Sequence, residues 1–334
     1  MSTRRPSRRS FLTAAASAAG VLALPRRLRA AEGKSALIAI TLDLEMSRNF
    51  PEWEIRHWDY EKGNLDRDTK EYTRQACRRV KARGAPLHCF AVGRVLEQEN
   101  VDWLREIAEA GHPIGNHTYD HINVRATQRD ALQFRFKRAP WLIEGKTIPG
   151  LIRENIEWTN TALAKRVGVT ARGFRTPGGF HDGLNDRPDV RKLLSEVGFK
   201  WVSSKYPAHK YGEPGTEPGP EVYASIVEAQ THAQPYIYDD GLIELPMSPI
   251  SDITAFRGGR WKLEYFLKAI GAAVTWAIEH GAVFDFLGHP SCLHVVDPEF
   301  RTIDLICDLV QKAGPRAQIV SLDAIAKRAQ SSAL

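Results

Sequence analysis

Short apolar runs alternate with longer amphipathic segments along most of this chain, and that alternation restricts its fold more than any other feature. Residues 36–42, 86–92 and 113–116 read as buried strands, as do 170–175, 199–203, 242–246, 282–288 and 318–321. Apolar residues three and four positions apart predict helices over 66–83, 96–110, 153–167, 188–197, 263–280 and 298–313. In the first of these, Tyr72, Ala76 and Val80 share a face and Gly84 supplies a stop. Strands separated by helices imply a parallel sheet covered by helices, because each helix carries the chain back to the start of the next strand. No repeat, heptad or low-complexity linker divides the chain, and about three hundred residues suffice for one large α/β core. Periodicity leaves a closed barrel and an open doubly wound sheet equally available.

Polar residues cluster where the predicted strands end. His117-Thr118-Tyr119-Asp120-His121 follows the third strand, and on one helical turn positions i and i+4 share a face, so both imidazoles could reach one ion. Such a pair is weak evidence alone, since most histidines are exposed or satisfied in a core. Its company gives it weight: Thr41-Leu42-Asp43-Leu44-Glu45 upstream, then Arg175-Thr176-Pro177-Gly178-Gly179, then Leu287-Gly288-His289-Pro290. Functional groups at strand C-terminal ends are what an α/β barrel displays. Taken singly, Asp43 could cap a segment, Arg175 could form a structural ion pair and His289 could close a strand. Their joint placement at strand ends is not explained that way. His112 reads as a structural hydrogen-bonding residue, while Asp285, Glu244 and Asp252 are further pocket candidates.

The ordered set resembles the polysaccharide deacetylase family, carbohydrate esterases that share a domain with nodulation-factor chitooligosaccharide deacetylases. His117 and His121 match the family's His-Ser/Thr-x-x-His motif, with Gly111 to Asn116 as lead-in. Arg175 and Pro177 match Arg-x-Pro, and Leu287 and His289 match Leu-x-His. Two departures make this a long, divergent variant. The family's commonest first motif has adjacent aspartates, whereas Leu44 separates Asp43 from Glu45 here. The fourth motif's acids, which tune the catalytic histidine, are replaced by Lys200-Trp201-Val202-Ser203-Ser204, and Asp285, which shares strand parity with Leu287 and His289, is a candidate substitute.

The resemblance implies a distorted (β/α) barrel over residues 34–330 and a metal-dependent hydrolase that removes N- or O-linked acetyl groups from a glycan. It implies one divalent ion, zinc first with cobalt or nickel as alternatives, held by Glu45, His117 and His121. Asp43 would act as base toward the attacking water, Arg175 would hold Asp43, and His289 would protonate the leaving group. Phe50, Trp53, Trp58 and Tyr60 lie in the aromatic and charged segment 47–65, where rings of this kind stack on sugars or pack on one another. Trp53, Trp58, Tyr60, Pro177 and Leu287 are therefore candidate substrate contacts. A hydrolase of a small cyclic amide or ureide, and a non-catalytic glycan-binding relative, are the competing readings. The intact base, ligand and acid candidates disfavour the latter.

Ser7-Arg8-Arg9-Ser10-Phe11-Leu12, followed by an apolar run from Thr13 to Leu24 too short to span a bilayer, reads as a twin-arginine signal over 1–31. The expectation is recognition by the twin-arginine export machinery, a periplasmic or secreted location, and no stable membrane insertion afterwards. Losing the seven arginines before Glu32 turns 46 basic and 40 acidic residues into 39 and 40, so the basic excess belongs to the leader. A near-neutral mature chain gives no basic stripe for nucleic acid. Cys77, Cys89, Cys292 and Cys307 lack zinc-ribbon spacing, and an oxidising compartment would permit disulfides among them.

Overall fold

The computed structural model describes residues 26–27, 35–46 and 62–332. Most of the signal segment, and Phe50, Trp53, Trp58 and Tyr60, lie outside the described residues. The organising element is the strand Ala36–Leu44, whose nine residues are all buried. A strand covered on both faces needs apolar residues without alternation, which Ala-Leu-Ile-Ala-Ile supplies. It pairs in parallel with Val283–Gly288 on one edge. On the other edge Ala317–Ile319 covers its first residues and His88–Ala91 its last. From His88–Ala91 the parallel sheet continues through Ile114–Asn116, Phe174–Phe180, Trp201–Lys205 and Ile243–Glu244. The short strand Tyr236–Ile237 then pairs antiparallel with Ile243–Glu244 and, through its backbone, with Arg26–Arg27.

The sheet curls into a distorted barrel. No strand ladder joins Ile243–Glu244 to Val283–Gly288 among the described residues, and side chains bridge that seam instead. The Gln234 amide stands in for a missing strand, donating to the Val283 carbonyl at 3.0 Å and accepting from its N–H at 2.9 Å. The Ser248 N–H adds a bond to the Asp285 carbonyl at 2.9 Å. Buried backbone groups left unpaired at such a seam would each be costly, so a fixed amide here serves as ladder.

Several sequence expectations shift. The helix predicted over 96–110 is a 3-10 turn, Gly93–Glu97, and a shorter helix, Asp102–Glu109. The strand expected at 170–175 is Phe174–Phe180, so Arg175 begins it rather than ending it. Residues 206–234, where no helix is predicted, contain the helix Pro220–Ala229, whose proline sits in its first turn, where the missing N–H costs nothing. Residues 122–150 pack onto the body of the fold, with Ile122, Val124, Leu132, Phe136 and Ile143 buried in the main core. The four cysteines are buried free thiols. No helix of the described residues is long and apolar enough to cross a membrane.

Candidate active site

A pocket of about 300 Å³ opens at the C-terminal end of the central strand. Asp43, Glu45, Lys62, His117, His121 and His289 meet in its wall, with Leu287, Thr176, Gly178, Gly179, Tyr206 and Met247 around them. Pro177 is buried behind this rim, and its neighbours rather than its ring face the space.

The histidines do not sit on a helical turn. Residues 117–121 form a loop in which Thr118 and His121 have positive φ, 57° and 56°. A β-branched threonine rarely adopts that conformation, so other contacts must hold the loop. Asn116 does part of this, accepting from the Thr118 N–H at 2.8 Å while donating to the Ile156 carbonyl at 2.8 Å. Asn155 accepts from the Asp120 N–H at 2.8 Å, and Gly93 donates through its N–H to the Thr118 carbonyl at 2.8 Å. A side chain on Gly93 would stand 2.4 Å from the Tyr119 ring, so that close approach requires glycine. The imidazoles converge through backbone strain rather than helical periodicity, with ring centroids 5.0 Å apart.

His117, His121 and Glu45 place their ligand atoms within 4.8 Å of one another. His117 Nδ1 lies 2.9 Å from the Arg175 carbonyl; the proton belongs on that nitrogen, and the Nε2 lone pair is free to point into the site. Burial pushes His121 down to about 4, keeping a neutral imidazole at neutral pH. Burial opposes ionisation of Glu45, but His121 and the Lys62 ammonium outweigh it and hold the carboxyl well below the usual range. Glu45 Oε2 stands 2.5 Å from His121 Nε2 and 3.6 Å from His117 Nε2, buried and without a hydrogen-bond donor among the described residues. Two imidazoles and a carboxylate with one unsatisfied oxygen fit a divalent cation.

Beside this triad, Arg175 is fully buried and organises the acids. Its Nη1 lies 3.2 Å from Asp43 Oδ1 and donates to Thr41 Oγ1 at 2.7 Å; Nη2 pairs with Asp285. Ser203 Oγ accepts from the guanidinium as well, 3.3 Å from Nε. Phe90 lies under the guanidinium plane, 4.4 Å from ring centroid to Cζ. Asp285 is therefore a partner of Arg175 and Thr41, not of His289; burial, only partly offset by Arg175, lifts its carboxyl to about 6.

Asp252 orients His289 instead. Its two oxygens accept from His289 Nδ1 at 2.8 Å and from the His289 backbone N–H at 2.7 Å, so ring and backbone are fixed together. Burial disfavours the imidazolium, yet the Asp252 carboxylate and its hydrogen bond, with Glu45 and Asp43 behind, raise His289 to about 9. Asp252 caps the π-helix Ile253–Gly258, an element that sequence periodicity does not reveal. Glu244 lies away from the pocket. It accepts from the Ser204 and Lys205 N–H groups at 2.7 and 2.8 Å and from the Tyr238 hydroxyl at 2.7 Å. His112 accepts the Leu87 N–H at 2.9 Å, the structural hydrogen bond expected of it.

The polysaccharide deacetylase family model matches residues 60–202. That span contains His117, His121 and Arg175, whereas Asp43 and Glu45 precede it and Asp252 and His289 follow it. Among solved structures the chain is similar to two proteins provisionally assigned as polysaccharide deacetylases. One, from Mycobacterium smegmatis, is 17% identical and superposes with a TM-score of 0.60, covering 93% of this chain and 96% of that one. The other, from Pseudomonas aeruginosa PAO1, is 16% identical with a TM-score of 0.58, covering 87% of this chain and 89% of that one. Both likenesses show a shared fold. No curated protein matches the sequence.

Proposed function

We propose that this chain, whose residues 60–202 match the polysaccharide deacetylase family model, is a metal-dependent hydrolase removing acetyl groups from an extracytoplasmic glycan. One observation carries the reading: Glu45, His117 and His121 converge in a pocket flanked by an Arg175-held Asp43 on one side and an Asp252-held His289 on the other. A divalent ion bound by the three ligands, zinc first and cobalt or nickel next, would polarise the acyl carbonyl and bring the pKa of water toward about 7.

The protein's own groups handle the protons. Asp43, held by Arg175, accepts a proton from the attacking water. His289, raised to about 9 and so protonated at neutral pH, donates from Nε2 to the departing nitrogen or oxygen while Asp252 keeps its Nδ1 proton. The twin-arginine pattern at 7–12 supports export and an extracytoplasmic substrate, and Trp53, Trp58 and Tyr60 in the aromatic segment supply rings suited to sugar faces.

The test is acetate release by chelator-stripped and metal-restored protein from N-acetylated chitooligosaccharides, peptidoglycan fragments and acetylated xylan, with a ureide and a cyclic imide alongside. Acetate is expected from at least one glycan, and only after metal is restored. Metal-dependent opening of the cyclic amides with no acetate from any glycan would overturn the deacetylase reading and favour the small-amide one.

Asp252→Asn supplies a second check. Without the carboxylate, His289 falls from about 9 toward its ordinary value near 6.5. The protonated donor exists below the histidine pKa, so the alkaline limb of kcat/KM should move to lower pH. Turnover at neutral pH should fall within the roughly hundredfold to ten-thousandfold range of an acid-base group. An unchanged alkaline limb would show that His289 is not the proton donor under Asp252 control.

A further inference from the structure

Lys62 is a buried cation in the pocket wall, 2% exposed, that the chemistry above leaves unused. Its position is set by its own backbone: the Lys62 carbonyl accepts from the Met46 N–H at 3.0 Å, one residue beyond Glu45. The two segments therefore run side by side, and Lys62 Nζ pairs with Glu45 Oε1. Oε2 of the same carboxylate faces the two histidines and has no donor among the described residues. Oε1 also lies 3.7 Å from His289 Nε2, on the side where a leaving group would be protonated.

The two oxygens of Glu45 are thus assigned to different neighbours. A carboxylate beside a divalent ion can bind through one oxygen or both, and glutamate, one methylene longer than the aspartate usual in the family's first motif, swings more freely between the two. We propose that Lys62 is a positioning residue that holds Oε1 of Glu45 away from the ion, so the carboxylate ligates through Oε2 alone and a coordination position stays open for substrate. The proposal rests on the metal-dependent reading above. A lysine serving only to neutralise a buried carboxylate would leave the ligation of a bound ion unchanged when replaced.

Cobalt-loaded protein separates these cases, because the visible absorption of Co²⁺ weakens as its coordination number rises. The wild type and Lys62→Gln, whose amide N–H can still donate to Oε1, should show the more intense band. Lys62→Met should show a weaker band, release cobalt to a chelator about tenfold more slowly, the order by which neighbours of a ligand change metal affinity, and lose kcat. An identical band and release rate in Lys62→Met overturns the proposal while leaving metal dependence standing. A wild type that binds no cobalt overturns both together. A crystal structure of the metal-loaded wild type asks the same question without any variant: both Glu45 oxygens at bonding distance from the ion would rule out the assignment, and Oε1 on Lys62 with Oε2 on the ion would uphold it.

Discussion

Replacing His117 and His121 together by alanine is expected to strip the protein of its divalent ion and of all turnover above background. The two imidazoles supply two of the three ligand atoms gathered within 4.8 Å, and Glu45 alone, already paired with Lys62, cannot hold an ion with comparable affinity. His117 is the more exacting position. Its Nδ1 is anchored on the Arg175 carbonyl, so alanine removes a ligand and also frees a backbone acceptor beside the guanidinium. At His121 the positive φ persists whichever residue is there, so the single change His121→Asn, which tolerates that backbone, separates metal loss from strain. Elemental analysis of the purified variants, with a circular dichroism melt to establish folding, is the measurement. A folded double variant carrying metal at the wild-type level would remove this site from consideration.

The sheet was readable from the sequence because parallel strands buried on both faces appear as unbroken apolar runs, and Ala36–Leu44 is the clearest case. Strand ends were readable too, since Asp43, His117 and His289 each follow such a run. Two parts of the site escaped for different physical reasons. The loop 117–121 has helical spacing but not helical geometry, because Asn116, Asn155 and Gly93 fix its backbone from three separate elements. The alternation of side chains points to Asp285, on the nearest strand, as the acid that orients His289. Asp285 instead turns to Arg175 and Thr41, and the partner of His289 comes from a π-helix cap 37 residues before it in the chain. Asp252 carried no local signal beyond being an acid. Lys62 likewise stands at the end of a charged segment, and only the backbone bond to Met46 brings it to Glu45.

The absent fourth-motif acids also have a physical account. Ser203 occupies the strand position next to Arg175 and accepts from it through a neutral hydroxyl, while Asp285 supplies the negative charge at the same guanidinium nitrogen, Nη2. Asp252 holds His289 separately, so the aspartate paired with Arg175 and the aspartate paired with His289 lie on different elements.

Asp43→Asn is expected to retain the metal and lose about a hundredfold to ten-thousandfold in kcat, whereas Glu45→Gln should lose the metal itself. Leu44 is what separates these roles. Asp43 Oδ1 lies 3.2 Å from Arg175 Nη1, while Oδ2 is 3.6 Å from His117 Nε2 at the margin of the ligand triad. Glu45 is one of the three residues whose ligand atoms converge, and Asp43 is not. Asparagine keeps the shape of Asp43 but cannot take a proton at neutral pH, and it removes the charge that Arg175 compensates. Arg175 keeps Asp285, so the buried guanidinium is not stranded and the fold should survive. Metal content and single-turnover acetate release, measured on the same preparations, separate the two variants. Loss of metal in Asp43→Asn with full occupancy in Glu45→Gln would exchange their roles and return this chain to an aspartate-ligated site.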